Sequence, residues 1–115
     1  MRRLAGTAAL VAALGVVIAG PAGAATKTVG VEDNYFSVPQ VTIKKGGFIT
    51  WNWLGEDAHD VKGKGVKGTP VAGTSFTSGF KTSGTYKRKF GRVGKFNVLC
   101  TLHPNTMRMR VVVKR

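Results

Sequence analysis

The chain reads as an all-β protein, a Greek-key β-sandwich, and three observations carry that expectation. Short runs of β-branched and aromatic residues recur through residues 25–115, separated by Gly, Pro, Asn and Ser. Several of these runs alternate with a period of two, as strands with one wet face do. No helix of any length is visible, and about seven short strands at this turn spacing suit a sandwich. No internal repeat is present.

Residues 1–24 stand apart from the fold. Arg2 and Arg3 form a charged start, Leu10 to Ile18 lies in an apolar stretch, and Ala22-Gly23-Ala24 is a small-residue cleavage site. This pattern predicts a secretory signal peptide over 1–24 and one domain over 25–115. The apolar stretch is short for a membrane span, and Gly20 and Pro21 interrupt it. Export follows, to the periplasm, the cell envelope or the medium.

Within the domain, Thr26 to Val31 is expected as the first strand and Gln40 to Lys44 as the second. Gly46-Gly47 turns the chain into Phe48 to Trp53, where Ile49, Trp51 and Trp53 share one face and should point into the core. Glu56-Asp57-Ala58-His59 follows as a loop. Lys62 to Thr74 is rich in Gly and Lys and contains Pro70, so it is expected to be a flexible connection with weak strand content. Phe76 and Phe80 should cap the core. In Thr85 to Phe90, Tyr86, Arg88 and Phe90 alternate with Thr85, Lys87 and Lys89, which predicts a strand half in water. Gly91 to Gly94 turns into a buried strand ending at Cys100, and Arg108 to Lys114 closes the domain.

Charge and cysteine usage narrow the function. The formal net charge is +13, and all five acidic residues precede position 61 while thirteen of the eighteen Lys and Arg follow it. A basic surface of this kind favours acidic protein partners or an anionic envelope surface. No motif that reads DNA or RNA is present, so no specific nucleic-acid partner is expected. Removing 24 residues leaves a domain of roughly 90, small enough that secreted relatives in size often need disulfides. A single Cys cannot form one internally, whereas a metal held by the folded state would stabilise it by linkage.

The decisive stretch is Cys100-Thr101-Leu102-His103-Pro104-Asn105-Thr106-Met107, which holds the only Cys and one of two His. His59 is the other. One thiolate, two imidazoles and a thioether are the donor set of the His₂Cys copper site with a weak axial Met, the type 1 centre of electron-transfer proteins. Cys100 leaves a buried strand. If the chain stayed extended, His103 would lie roughly 10 Å further along, so a turn must bring the two together. Pro104 stiffens that turn by fixing its own φ and pushing His103 out of the α region.

These residues resemble the cupredoxin family, in the plastocyanin, amicyanin and pseudoazurin group of small blue copper proteins. Val41 to Gly46, Ile49-Thr50-Trp51, Asp57 to Val61, Phe76 to Phe80, Gly84 to Phe90 and Gly94 to Pro104 carry the likeness. It implies a cupredoxin-like sandwich holding one copper, with His59, Cys100 and His103 as equatorial ligands and Met107 as the axial one. Met109 is the alternative axial residue, although it alternates with Val111 and Val113 as a strand residue does. By the same likeness His103 is the solvent-edge ligand through which electrons pass. Asp60 stands where the family commonly has Asn, and accepts a hydrogen bond from Thr101 in this scheme. Leu99 replaces the exposed aromatic that plastocyanins carry before the Cys.

The implied function is one-electron transfer between redox partners outside the cytoplasm, by a monomer whose partners are acidic where they dock. A copper trafficking or storage protein with the same ligands is the alternative. Multicopper enzymes need more His than two, and a zinc hydrolase would need a general base, for which no Asp or Glu lies near the Cys100 loop. The chain is therefore expected not to be an enzyme.

Overall fold

The computed structural model describes residues 25–115, so the leader assigned to 1–24 lies outside the described residues. The strands are β1 (Thr26–Glu32), β2 (Tyr35–Phe36), β3 (Gln40–Lys44), β4 (Phe48–Trp53), β5 (Lys62–Gly65), β6 (Ser75–Thr77), β7 (Thr85–Lys89), β8 (Gly94–Leu99) and β9 (Arg108–Lys114). They form a five-stranded sheet in the order β3-β9-β8-β5-β6 and a four-stranded sheet in the order β2-β1-β4-β7. No helix occurs among the described residues. Two pairings are parallel, β1 with β4 and β3 with β9. A parallel pair requires a crossover, and here the chain supplies it by passing from one sheet to the other between the paired strands.

Strand alternation decides what lies between the sheets. Ile49, Trp51 and Trp53 of β4 are buried, as are Phe96 and Val98 of β8 and Met109, Val111 and Val113 of β9. Phe76, Phe90 and Phe96 pack edge to face with ring centroids 5.4–5.8 Å apart, and Trp51 stacks on Tyr86 at 5.8 Å. Such aromatic contacts add to the area they bury. Arg88 faces this cluster from β7, its guanidinium 4.4 Å from the Phe76 centroid and 4.8 Å from that of Phe90. The cation survives there because ring faces attract it while its exposed part keeps water.

The fold corrects two expectations from the sequence. Lys62–Gly65 is not a loose connection but a strand inside the five-stranded sheet, antiparallel to both β8 and β6. Its glycines answer to close packing rather than flexibility: a Cβ on Gly63 would fall on the Phe76 ring, and one on Gly65 on the Val71 carbonyl. Phe80 does not cap the core, since it is 59 % exposed, whereas Phe76 does. The short strand β2 and the three-residue β6 are additions that their length hid.

Candidate metal centre

Two loops at one end of the sandwich meet at His59, Cys100 and His103. The second of these loops is closed at its root, where the Cys100 N–H donates to the Met107 carbonyl at 3.0 Å and continues the β8–β9 ladder. Inside it the N–H groups of His103 and Met107 donate to the carbonyls of Cys100 and His103. This is the turn that the extended-chain distance demanded. Cys100 and Met107 are fully buried, and His103 is partly exposed beside an exposed Leu102.

His59 reaches the same point from 41 residues upstream. Its backbone pairs with Lys81 in both directions at 3.0 Å, and the Trp53 indole N–H donates to its carbonyl at 3.0 Å. Its ring is fully buried, with Nδ1 3.8 Å from Cys100 Sγ; His103 Nδ1 lies 3.9 Å from the same sulfur. The three donor atoms all fall within 4.8 Å of one another. First-row metals bind N and S at about 2.0–2.3 Å, so an ion placed among these atoms meets all three after only small adjustments. One soft thiolate and two imidazoles, two of the three residues fully out of water, fit copper by donor chemistry as well.

The two methionines have different surroundings. Met109 Sδ accepts a hydrogen bond from the Trp51 indole at 3.5 Å and is enclosed in the core. Met107 is buried at the closing residue of the Cys100 loop, where its carbonyl accepts from the Cys100 N–H.

Asp33 is not among the residues the sequence singles out, yet it holds His59 in place. It occupies the two-residue hairpin between β1 and β2, next to Asn34, whose φ of 76° is a left-handed conformation that Asn tolerates. Its carboxylate accepts from His59 Nε2 at 2.9 Å and from the backbone N–H groups of Glu56 and Asp57 at 3.0 Å. A proton kept on Nε2 leaves the Nδ1 lone pair free, facing the sulfur. A Cβ at Gly55 would collide with the Asp33 carboxylate, which is why the loop has a glycine there. The sequence marks a turn there, since Asp33-Asn34 lies between Val29 to Glu32 and Tyr35-Phe36, but it does not mark the contact with His59.

The Glu56 N–H, then His59, then the Asp57 N–H hold the Asp33 carboxyl down from 3.8 to about 2. A depressed carboxyl contributes stability that is complete above its unfolded value and lost as pH falls through its folded value. The melting-temperature gap between the metal-free protein and its Asp33→Asn variant should therefore be constant near neutrality and close as pH falls from 3.8 to about 2. Calorimetry across that window checks it, and a gap that persists at the acid end counts against the assignment.

Asp60 is buried, and its two oxygens accept from the Thr101 N–H at 2.7 Å and the Thr101 hydroxyl at 2.9 Å. The tie between the loops that the sequence proposed is thus made. It also corrects the expectation that no acidic residue lies near the Cys100 loop: folding brings Asp60 to Thr101 and Asp33 to His59. Both carboxylates are spent on hydrogen bonds that orient the loops.

No protein-family model matches the chain. It is 37 % identical over 112 residues to amicyanin-alpha of Methylorubrum extorquens, covering 94 % of this chain and 87 % of the relative. The chain belongs to the cupredoxins, in their amicyanin group. The crystal structure of amicyanin from Paracoccus versutus superposes with a TM-score of 0.64 at 33 % identity, over 83 % of this chain and 85 % of that one. The reduced Cu(I) form of an amicyanin variant gives the same TM-score at 25 % identity, over 83 % and 86 %. Like other amicyanin-type cupredoxins, the protein is a blue copper electron carrier with one copper, and not an enzyme.

Proposed function

We propose that this cupredoxin carries single electrons between protein partners outside the cytoplasm, with His59, Cys100 and His103 as equatorial copper ligands and Met107 as the axial one. The observation that carries the assignment is the convergence of three donor atoms within 4.8 Å from two distant loops. Met107 is preferred over Met109 because the Met109 sulfur already accepts the Trp51 N–H. Copper supplies a one-electron couple there. The protein's part is to keep the donors nearly still: Trp53 and Lys81 hold the His59 backbone, Asp33 holds its ring, and Asp60 ties Thr101 to the same loop. His103, the partly exposed member of the trio, is the outlet, and the exposed Leu102 beside it offers apolar contact to a partner.

The charge of +13 favours partners that are acidic where they dock and speeds encounter in a salt-sensitive way. Removal of residues 1–24 as a signal peptide, export, and a monomeric state complete the proposal.

Adding Cu(II) to the purified protein should produce an intense blue absorption and a reversible one-electron wave. Cys100→Ser should abolish the colour. Met107→Ala should alter the spectrum and potential of the bound copper, whereas Met109→Ala should chiefly lower stability, by about 2–5 kcal/mol for a buried Met truncation. If Met109→Ala moved the potential and Met107→Ala did not, the axial assignment would pass to Met109. Rapid surrender of copper to competing acceptors, without a reversible wave, would instead indicate a delivery protein.

A further inference from the structure

The outward face of the five-stranded sheet carries cations without a single acidic side chain. Register aligns them in rows: Lys62 of β5, Leu99 of β8 and Arg108 of β9 lie side by side, and Lys64, Asn97 and Arg110 form the next row. In each row a neutral β8 residue separates two cations. None of the five acidic residues falls on any of the five strands.

Strand geometry gives the resulting trough its dimensions. Neighbouring strands are about 4.8 Å apart, so the flanking cations stand roughly 10 Å across from one another, and successive outward residues repeat at about 6.8 Å along the strand. The side of the trough between β5 and β8 is an open groove of about 620 Å³ in which Lys67 joins Lys62 and Lys64, with Leu99 and Thr101 opposite. On the other side Arg110 donates from Nε and Nη2 to Asn97 Oδ1 at 3.1 and 3.0 Å, so its guanidinium is held across β8 with donors to spare.

We propose that this trough binds an extended phosphodiester polymer, one chain thick, lying along β8 between the cations of β5 and β9. A single chain matches the width, and monovalent phosphates at intervals of several ångströms match paired cations repeating along two walls. A protein partner fits less well. Interfaces between proteins are anchored by buried aromatic and large apolar side chains, and the exposed ones here, Tyr35, Leu54, Phe80 and Leu102, all lie off these strands. Nor is the charge confined to the metal end as an electron-transfer patch would be: from Arg108 beside Met107, β9 runs away and ends with Lys114 beside Lys44 of β3, roughly 20 Å from Arg108.

The groups involved are not the proposed copper ligands, so the experiment is independent of the function proposed above. A fluorescent oligothymidylate serves as a linear phosphodiester probe, with anisotropy recorded over a range of salt for the protein without its leader. Lys62→Gln/Lys64→Gln should weaken binding about tenfold and reduce the slope of log affinity against log salt by about 1.4, the value for two lost contacts to a single strand. Lys87→Gln/Lys89→Gln, the same charge change on the outer face of the other sheet, should weaken it by less than about twofold. An unchanged melting temperature verifies that both variants fold. Equal losses from the two pairs would reduce the effect to net charge and overturn the proposal. So would binding to phosphatidylglycerol vesicles that depends on Lys62 and Lys64 when oligothymidylate binding does not.

Discussion

Asp33→Asn is expected to raise the reduction potential of the copper-loaded protein while its blue colour remains. The carboxylate lies 2.9 Å from His59 Nε2, on the far side of the ring from the nitrogen that faces Cys100. A negative charge there stabilises the more positive, oxidised state of a bound ion more than the reduced one. Asn keeps the shape, and its Oδ1 can still accept from Nε2 and the Asp57 N–H, but it carries no charge and its amide nitrogen replaces the oxygen that accepts the Glu56 N–H at 3.0 Å. Asp33 is 36 % exposed, and the shift should accordingly shrink as salt rises. Asp33→Ala goes further, because it frees the ring and releases the backbone N–H groups of Glu56 and Asp57. Loss of such an orienting partner typically costs 10–100-fold in metal affinity, and about that loss of Cu(II) affinity is expected. Voltammetry and competitive Cu(II) titration measure the two effects. An Asn variant with the parent's potential would mean that the charge is not felt at the metal.

Gly65→Ala is expected to destabilise the protein by about 2–3 kcal/mol, the upper range for forcing a methyl into a packed site. The new methyl would overlap the Val71 carbonyl, and backbone cannot swing aside as a side chain can. The same approach is fixed by a hydrogen bond from the Gly65 N–H to the Thr74 carbonyl at 2.8 Å, which pins the segment following β5 against the sheet. For a domain of this size the cost corresponds to a drop of roughly 10–20 °C in melting temperature. Gly91→Ala is the control, since its Cβ meets nothing within 4 Å and its φ is not left-handed; it should change stability by less than about 0.5 kcal/mol. Thermal unfolding of the two metal-free variants decides the matter. Equal melting temperatures would show that the chain does not need glycine at 65.

The Gly65 comparison also explains why the Lys62 to Thr74 segment misleads when read as sequence. Glycine is a weak strand residue, and Lys-Gly-Lys-Gly has no side chain with which to declare a buried face. In the sheet the buried face is made by the missing side chains themselves, because Phe76 and the Val71 backbone fill the space above Gly63 and Gly65. β4 was legible for the opposite reason. Ile49, Trp51 and Trp53 alternate with Phe48, Thr50 and Asn52, and a strand pointing the first three to one side has only one way to bury them.

By itself the sequence determined that the protein is a β-sandwich and that its metal is copper. Strand period and donor chemistry are local properties: alternation is written within six residues, and a lone Cys, a His three positions later and a Met four beyond that fit few other ions. The Asp60 to Thr101 tie was also legible, because each residue adjoins a proposed ligand. Tertiary structure alone decided that Asp33 orients His59, that glycines form an interior strand paired on both sides, and that the cations of β5 and β9 flank β8. Each depends on register between segments tens of residues apart, and register is set by the burial of the whole core, not by any stretch that can be read alone.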